Sequence, residues 1–283
     1  MKPAPFDYVR AATVDEAVAI LAGSNGEAKV LAGGQSLVPM LNFRVVDVPL
    51  FVDINGIEGL DRIEETDGGG LRIGALTRHS TLETSNLVKD RFPVMHEAMK
   101  HVAHLAIRNR GTIGGSLSHA DPAAELPTMA VLLNATIITA NASGGREISA
   151  AEFFIAPLTT SLTPDEIVVA VDLPGLPQGS GYGFEEFAQR RGDFGIAGVA
   201  AIVKMDGQIV TKARIALMGL HDIPMRAHGA EAALVENGID AAAAAARQEV
   251  DPMTDLHGSA EYRRHLAEAL TRRALITAIE RSH

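Results

Sequence analysis

The sequence predicts an α+β fold, in which helices and strands occupy largely separate stretches of the chain. Two turn signals, Asp67-Gly68-Gly69-Gly70 and Asp206-Gly207, adjoin apolar strand-like runs and favour antiparallel hairpins. After residue 240 the patterns are helical only. With 283 residues and an apolar content of 47%, the chain is long enough for more than one domain.

The first 55 residues predict a small unit of helix and strands. Thr13-Val14-Asp15-Glu16 has the pattern of a capping box, and apolar residues then recur at helical spacing until Gly23. Two short apolar runs, 29–32 and 50–54, predict buried strands. The first of these strands leads directly into a glycine-rich segment.

The middle of the chain predicts one sheet and two main helices. Apolar residues at helical spacing predict a helix over 92–105. A second helix is expected to begin near Pro127, although Asp121-Pro122 could also serve as its N-cap and first residue. The strands expected here are 71–74, 135–140 and 166–173.

A linker rich in turn residues, Pro174 to Gly181, predicts a domain boundary after residue 177. The expected domains are 1–177, with subdomains of about 1–55 and 56–177, and 178–283. In the second domain we expect an antiparallel sheet followed by helices. Its predicted strands are 184–189, 197–205 and 208–217, and its predicted helices are 241–247 and 259–279.

Charge and composition exclude several classes of function. The formal net charge of -10 argues against a nucleic-acid partner, because neutralising phosphates requires a basic surface. The chain contains no cysteine, which excludes disulfides, a thiol nucleophile and cysteine-ligated iron–sulfur clusters within it. No apolar run approaches the ~20 residues that span a bilayer, and the first residues lack a signal-peptide pattern. The expected location is therefore cytoplasmic.

Two glycine-rich segments are the clearest indication of a ligand-binding site in the sequence. Glycines without side-chain bulk allow backbone N–H groups to approach a phosphate, so two such segments could hold a diphosphate. The first segment matches neither a Walker A loop nor the Gly-x-Gly-x-x-Gly fingerprint, and two tight turns remain the alternative to a ligand site. The first glycine loop contains Ala32, Gly33, Gly34, Gln35 and Ser36, and the second contains Gly111, Thr112, Ile113, Gly114, Gly115 and Ser116, with Asp121 downstream as a possible acceptor for sugar hydroxyls.

These two segments and several others resemble sequence blocks of one protein family, and they occur in the same order along essentially the whole chain. The sequence is similar to the FAD-binding (medium) subunit of molybdenum hydroxylases, a group that includes carbon monoxide dehydrogenase medium subunits and the xanthine dehydrogenase FAD domain. The blocks that carry this resemblance are 32–37, Leu41-Asn42-Phe43-Arg44, Asp53-Ile54-Asn55, Ile73-Gly74-Ala75-Leu76-Thr77, 108–115, 119–127 and Arg190-Arg191-Gly192-Asp193-Phe194.

The resemblance implies a p-cresol methylhydroxylase-type FAD-binding domain of two α+β subdomains, followed by the C-terminal domain of these flavoproteins. It implies that Ala32 to Ser36 and Gly111 to Gly115 hold the diphosphate of non-covalent FAD. Ser116 and Asp121 would then face the ribityl or diphosphate region, the backbone near Val168 would contact the adenine, and Asp193 and Phe194 would lie beside the flavin ring. No catalytic acid or base is assigned, since the flavin supplies the redox chemistry.

The resemblance also implies partners. The chain would pass electrons from the [2Fe–2S] clusters of a small subunit through FAD to an external acceptor, while a large subunit carries the molybdenum cofactor, possibly in a dimer of heterotrimers. Two other classes stay open: a self-contained FAD-dependent oxidase or reductase of the same superfamily, and a non-catalytic nucleotide-binding or assembly protein. The substrate of the complex cannot be identified from this chain.

Some positions depart from the family pattern or offer other chemistry. Ser116 replaces a common Asn, and Ser118 replaces a common Ala. Glu186 replaces a common Lys, and a carboxylate could not stabilise a reduced, anionic flavin as an ammonium would.

His101 and His104, one helical turn apart near His96, resemble a metal pair but are expected to be ordinary surface histidines. The pairs Asp165-Glu166 and Glu185-Glu186 should point to opposite strand faces. Arg263, Arg264, Arg272 and Arg273 are expected to form a solvated helix face, with a subunit contact as the alternative.

Overall fold

A computed structural model describes residues 2–282. The N-terminal part is a three-stranded parallel sheet in the order β1-β3-β2, with helix α1 covering it. Thr13 caps α1 by accepting a hydrogen bond from the Glu16 N–H, as the capping box predicts. The elements are β1 (Asp7–Arg10), α1 (Val14–Gly23), β2 (Ala28–Leu31), α2 (Leu37–Asn42) and β3 (Leu50–Asp53).

The middle part is a five-stranded antiparallel sheet in the order β4-β5-β10-β6-β7, flanked by short helices. Its strands are β4 (Ile63–Thr66), β5 (Gly70–Gly74), β6 (Thr136–Ala140), β7 (Glu147–Ser149) and β10 (Ile167–Leu173), with a small β8 (Phe154–Ala156) and β9 (Thr159–Thr160) pair beside it. Its helices are α3 (His79–Thr84), α4 (Asn86–Arg91), α5 (Pro93–Ala98), α6 (Leu105–Arg108), α7 (Ile113–His119), α8 (Glu125–Leu132) and α9 (Ala150–Phe153).

The C-terminal part is a four-stranded antiparallel sheet with three helices. Its long helix packs against the first two strands of that sheet. Gly181 and Gly183 permit this approach, because a Cβ on either would overlap with backbone carbonyl oxygens of the helix. The elements are β11 (Ser180–Phe187), β12 (Ala197–Asp206), β13 (Ile209–Met218), β14 (Met225–Arg226), α10 (His228–Asn237), α11 (Ile239–Glu249) and α12 (Ala260–Glu280).

The largest buried core is shared by the middle and C-terminal sheets. Phe184, Ala200 and Ile202 of the C-terminal sheet belong to the same apolar cluster as Leu71 and Phe92. The predicted boundary after residue 177 lies in the loop between β10 and β11, and the core crosses it. The two sheets are therefore held to one another by apolar packing, which fixes the edges of the site that lies between them.

The helix predicted over 92–105 is wrong in extent. It ends at Ala98, and a separate helix begins at Leu105. In the intervening turn Ala103 has a positive φ of 42°, and the guanidinium of Arg108 donates hydrogen bonds to the carbonyl oxygens of Val102 and Ala103. The Arg108 side chain, five and six residues further along the chain, thus satisfies carbonyl groups that a continued helix would have satisfied itself.

The second glycine loop also differs from its prediction, because most of it is helical. Thr112 is the N-cap of α7, and its hydroxyl accepts a hydrogen bond from the Gly115 N–H at 3.1 Å. Asp121 does not cap the next helix, which begins at Glu125; its carboxylate accepts the Ala123 N–H at 2.9 Å in the preceding turn. Among the helices of residues 2–282, none has the length and apolarity required to cross a membrane.

Candidate FAD site

A cavity of about 1170 Å³ opens where the three sheets meet. Its walls come from the first glycine loop, the segment from α6 to the start of α8, the turn before β10 and the loop between β11 and β12. Small-molecule pockets usually measure ~300–1,000 Å³. The cavity is therefore large enough for an extended ligand such as a dinucleotide.

The structure brings almost all of the predicted site residues to this cavity. Ile113 is the exception, since its side chain is buried in the apolar core beneath the site. The residues that line the cavity are Ala32, Gly33, Gly34, Gln35, Ser36, Gly111, Thr112, Gly114, Gly115, Ser116, Asp121, Val168, Asp193 and Phe194.

The first glycine loop leaves its backbone donors free. Within the described chain, the N–H groups of the five consecutive residues 33–37 donate to no other protein group. Gly34 has a φ of +70°, which reverses the direction of the chain, and the Gln35 amide donates to the Gly33 carbonyl at 3.0 Å. Successive free N–H groups around such a residue form an anion-binding concavity. This loop can therefore bind a phosphate without a cation.

The second glycine loop uses its donors within the protein. The N–H of Ile113 donates to Thr77 O at 3.1 Å, and that of Gly114 donates to Ala75 O at 2.9 Å. The N–H groups of Gly111, Gly115 and Ser116 are also bonded inside the loop or to α6. Of the second-loop N–H groups, the Thr112 N–H is the one for which the described residues supply no acceptor. The loop is thus fixed to the edge of the middle sheet.

The glycines let protein segments approach one another as well as a ligand. A Cβ on Gly33 would overlap with the Arg110 carbonyl oxygen and lie 2.8 Å from Gly111 Cα. A Cβ on Gly114 would lie 2.6 Å from Ala75 Cβ and 2.8 Å from Ala75 O. Real Cβ atoms do not tolerate such distances. The two loops therefore contact each other backbone to backbone at one end of the cavity.

A polar connection, which we call the Asn55–Arg78 bridge, also joins the two loops. Asn55 Nδ2 donates to the Ala32 carbonyl at 2.8 Å, and Arg78 Nη2 donates to Asn55 Oδ1 at 2.7 Å. The other terminal nitrogen of Arg78 donates to the Arg110 carbonyl, directly before the second loop. Asn55 belongs to one of the sequence blocks that resemble the family, but the role of Arg78 was not predicted, because its partners lie far away in sequence.

Comparison with known proteins agrees with this geometry. Residues 4–176 match the family model described as the FAD binding domain in molybdopterin dehydrogenase. The chain belongs to this family. Residues 182–278 match a second model, the CO dehydrogenase flavoprotein C-terminal domain. The family relationship and the α+β fold class predicted from the sequence are both confirmed.

Individual members of the family are similar over their full lengths. The chain is 44% identical to the 6-hydroxypseudooxynicotine dehydrogenase complex subunit alpha of Paenarthrobacter nicotinovorans, over 100% of this chain and 97% of that protein. It superimposes on a chain of the carbon monoxide dehydrogenase of Hydrogenophaga pseudoflava with a TM-score of 0.97, 36% identity and complete coverage of both chains. Quinoline 2-oxidoreductase from Pseudomonas putida 86 gives a TM-score of 0.94 at 36% identity, over 99% of each chain. This molybdopterin dehydrogenase family member is thus related to subunits of oxidoreductases.

The residues present fit the FAD that the family binds. The cavity combines one loop of free N–H donors with mostly apolar walls, which suits a ligand that has a central diphosphate and two aromatic ends. The Val168 backbone lies on one wall and Phe194, which is 70% exposed, lies at another edge. Strand β10 has an irregularity in its pairing between Val168 and Ala170, which interrupts the sheet ladder at this wall.

Glu125 lies in the cavity wall and was missed by the sequence reasoning. Burial and, to a smaller extent, the nearby Glu186 carboxylate together raise the pKa of this carboxyl to about 8. At neutral pH Glu125 is therefore protonated, and it places no negative charge beside an anionic ligand. No local pattern distinguishes this glutamate from an exposed one, because its burial comes from segments distant in sequence.

Glu186, which the resemblance led us to expect in place of a lysine, does not line the main cavity. Its side chain is 3% exposed and lies beside a smaller cavity of about 350 Å³, with its Oε2 atom 3.7 Å from His101 Nδ1. Burial raises the pKa of Glu186 to about 7 and lowers the pKa of His101. The opposite orientations expected for Glu185 and Glu186 are observed, since Glu185 instead pairs with Arg273 at 2.9 Å.

Two further expectations are corrected. His101 and His104 do not lie one helical turn apart, because His101 is in a turn and His104 is the N-cap of α6. Arg263 is not part of a solvated face: it is 7% exposed, lines the main cavity, and donates to the carbonyls of Ile196 and Gly219 and to Asp255. Arg264, Arg272 and Arg273 pair with carboxylates nearer the surface.

Proposed function

We propose that this protein is the FAD-carrying electron-transfer subunit of a molybdenum-dependent dehydrogenase complex. The observation that carries the proposal is the row of five free backbone N–H groups at 33–37, placed along a cavity that the second glycine loop closes on another side. Full-length similarity to a subunit of a dehydrogenase complex supports the same conclusion. Bound FAD would accept electrons and release them singly or in pairs.

In this proposal the first glycine loop, Ala32 to Ser36, binds the diphosphate through its free N–H groups and supplies the Ser36 hydroxyl as a further donor. The second loop contributes the free N–H of Thr112 and the Ser116 hydroxyl, while its glycines allow it to pack closely. Asp121 accepts hydrogen bonds from the ligand hydroxyls near the same loop. The adenine lies by the Val168 backbone, and the flavin ring lies by Asp193 and Phe194.

Exposure at the proposed flavin end supports a role in electron transfer. Phe194 is 70% exposed, and Met253 in the same cavity wall is 71% exposed. Since the chain has no cysteine, a cysteine-ligated [2Fe–2S] cluster that delivers electrons must belong to another polypeptide. We therefore propose a small [2Fe–2S] subunit and a large molybdopterin subunit as partners, in a cytoplasmic complex that is a dimer of heterotrimers.

The test is purification of the complex from its native source through a tag on this chain, followed by assays for FAD, iron and molybdenum. We expect one FAD per copy of this chain, with iron and molybdenum in the copurifying subunits. The isolated chain should carry FAD and oxidise no substrate by itself. Recovery of the chain alone with its own substrate-oxidising activity would favour the self-contained oxidase and overturn the proposal. A chain without flavin absorbance would overturn the cofactor assignment as well.

A further inference from the structure

Glu166 is a buried carboxylate in the turn before β10, at the end of the main cavity where we place the adenine. We call residues 161–166 the adenine-side turn. The side chain of Glu166 is 0% exposed, and the exposed 5% of the residue therefore belongs to its main chain. A ligand in the cavity cannot contact this carboxylate, so Glu166 can affect the ligand only through the residues that it holds.

The carboxylate accepts hydrogen bonds from three separate segments of the chain. Oε1 accepts from the Thr139 hydroxyl at 2.6 Å and from Arg146 Nε at 2.9 Å, and Oε2 accepts from Arg146 Nη2 at 2.9 Å and from the Thr163 N–H at 3.1 Å. Burial by itself would raise the pKa of Glu166, but the hydrogen bonds from Arg146, Thr139 and Thr163 outweigh burial and lower it. The group is therefore an anion at neutral pH, paired with the Arg146 guanidinium.

These contacts fix the shape of the adenine-side turn. Arg146 Nη2 also donates to the Ser161 carbonyl at 2.6 Å, and the Glu166 N–H donates to the Thr163 carbonyl at 3.0 Å. The Glu166–Arg146 pair thus holds the start, the middle and the end of the turn. Thr163 and Pro164 of the turn line the main cavity, so a change in its shape changes the cavity wall.

The adenine-side turn lies where the N-terminal and middle parts of the molecule meet. A Cβ on Gly26, between α1 and β2, would lie 3.7 Å from Pro164 Cβ, which is an ordinary contact distance. Directly after the turn, Ile167 belongs to the N-terminal apolar core, whereas Val168 belongs to the largest core. An adenine beside the Val168 backbone would therefore lie in a gap whose width depends on the turn.

We propose that Glu166 is a positioning residue that shapes the adenine end of the cavity and thereby gives this chain a preference for FAD over FMN. The inference rests on the proposed function, because it needs FAD in the main cavity with its adenine at the Val168 wall. FMN lacks the adenosine monophosphate half of FAD and would not reach the adenine-side turn. A loosened turn should therefore weaken the binding of FAD and of ADP, but not that of FMN.

The alternative is that the Glu166–Arg146 pair only stabilises the fold. Removing one partner of a buried ion pair destabilises a protein whatever its ligand, so a loss of stability does not separate the two roles. A purely structural role predicts that Glu166→Gln weakens FAD, ADP and FMN alike, or none of them. The positioning role predicts a loss confined to the two ligands that contain adenine.

The experiment measures the affinity of the flavin-free, full-length chain for FAD and FMN by flavin fluorescence and for ADP by competition with FAD, together with urea unfolding. For Glu166→Gln we expect about 10-fold weaker binding of FAD and ADP, as for loss of one well-formed contact, with FMN binding unchanged. Glu231→Gln is the matched control, because Glu231 also accepts hydrogen bonds from an arginine, Arg226, and from a main-chain N–H, that of Ile215, but lies outside the cavity. This control should lose stability and bind all three ligands normally.

Arg146→Gln tests the same pair through its more exposed partner. The Arg146 side chain is 47% exposed, so its replacement leaves no cavity in the core, and it should cause the same selective loss of affinity. In the double variant the loss should be smaller than the sum of the two single losses, because both changes break the same contact. Equal weakening of FAD and FMN, or unchanged FAD affinity in both single variants, would overturn the inference and leave the proposed function intact. Failure of the unmodified chain to bind FAD would overturn both.

Discussion

The two glycine loops border the same cavity but use their backbones in opposite ways. In the first loop, the N–H groups of residues 33–37 donate to no other described residue, and the positive φ of Gly34 bends the backbone so that these groups can form an anion-binding concavity. In the second loop, most N–H groups are bonded to the β5–α3 segment, to α6 or to the Thr112 cap. The first loop can therefore bind a ligand through its free N–H groups, whereas the second loop is fixed by hydrogen bonds to the protein.

The difference shows that similar glycine motifs can be required for different physical reasons. Gly34 is needed for a backbone conformation that other residues rarely adopt. Gly114 has an ordinary helical conformation but leaves no room for a side chain beside Ala75. Variants of the first loop should therefore affect FAD binding most, whereas variants of the second should affect folding most.

The largest effect is expected for Gly114→Ala. The added methyl group would overlap with Ala75 Cβ and O, so the helix must move away from the sheet, at a cost of about 3 kcal/mol in the free energy of unfolding. Urea unfolding of the FAD-free chain measures this loss. Gly23→Ala is the control, because its Cβ would meet nothing within 4 Å at the end of α1, and it should be neutral or slightly stabilising. Equal stabilities for the two variants would contradict the packing role.

A smaller effect is expected when the Asn55–Arg78 bridge is broken. Arg78→Gln would leave Asn55 Oδ1 and the Arg110 carbonyl without their donor, at a cost of about 2 kcal/mol, and would let the loops separate. Both the stability of the FAD-free chain and its affinity for FAD should fall. Arg72→Gln removes the exposed Arg72–Asp172 pair instead and should cost less than about 1 kcal/mol. A normal FAD affinity in Arg78→Gln would show that the bridge does not position the loops.

Gly34→Ala tests whether the backbone conformation of the first loop is needed for FAD binding. Alanine at a φ of +70° costs about 1 kcal/mol of stability and reorients the neighbouring N–H groups, so FAD binding should weaken by at least ~10-fold. Gly207→Ala imposes a similar backbone cost at a φ of +58° in the β12–β13 hairpin, away from the cavity. The added Cβ of Gly34→Ala would also lie 3.2 Å from Val38 Cγ2 and 3.3 Å from Leu31 Cδ1, whereas that of Gly207→Ala would meet nothing within 4 Å. Urea unfolding should therefore show a stability loss in both variants, somewhat larger for Gly34→Ala, and fluorescence titration should show an affinity loss in Gly34→Ala alone.

The smallest effect at neutral pH is expected for Glu125→Gln. The pKa of Glu125 is raised to about 8, so this carboxyl is neutral below that pH and becomes an anion above it. An ionised Glu125 would repel the diphosphate, so the FAD affinity of the unmodified chain should fall by at most ~10-fold between pH 7 and pH 9. Glu125→Gln should remove this dependence and bind FAD normally at pH 7. Glu185→Gln, a change outside the cavity, should keep the pH dependence.

Much of the fold was accessible from local patterns. The capping box at Thr13 and the hairpin at Asp206-Gly207 appear where they were predicted, because caps and tight turns depend on residues next to one another. The helix over 92–105 failed since Arg108 stabilises a turn that periodicity cannot reveal. Helix α7 was missed because paired glycines disfavour a helix, whereas here packing against Ala75 requires Gly114 and the close approach of the Thr112 hydroxyl requires Gly115.

For the site, the sequence identified most of the segments that border the cavity, but not how they work together. It expected Arg263 at a solvated face, and the structure buries it against Ile196 and Gly219. Helical periodicity did not separate this arginine from Arg264, which is adjacent and more exposed. The partners of a buried guanidinium come from other segments of the chain.

The family, the glycines of both loops and the exclusion of cysteine-ligated clusters from this chain could all be read from the sequence alone. The free N–H groups of the first loop and the raised pKa of Glu125 follow from the folded structure alone. Residue type and spacing are properties of the chain. Hydrogen-bond satisfaction and desolvation depend on which distant segments pack around a group, and only the folded protein brings those segments together.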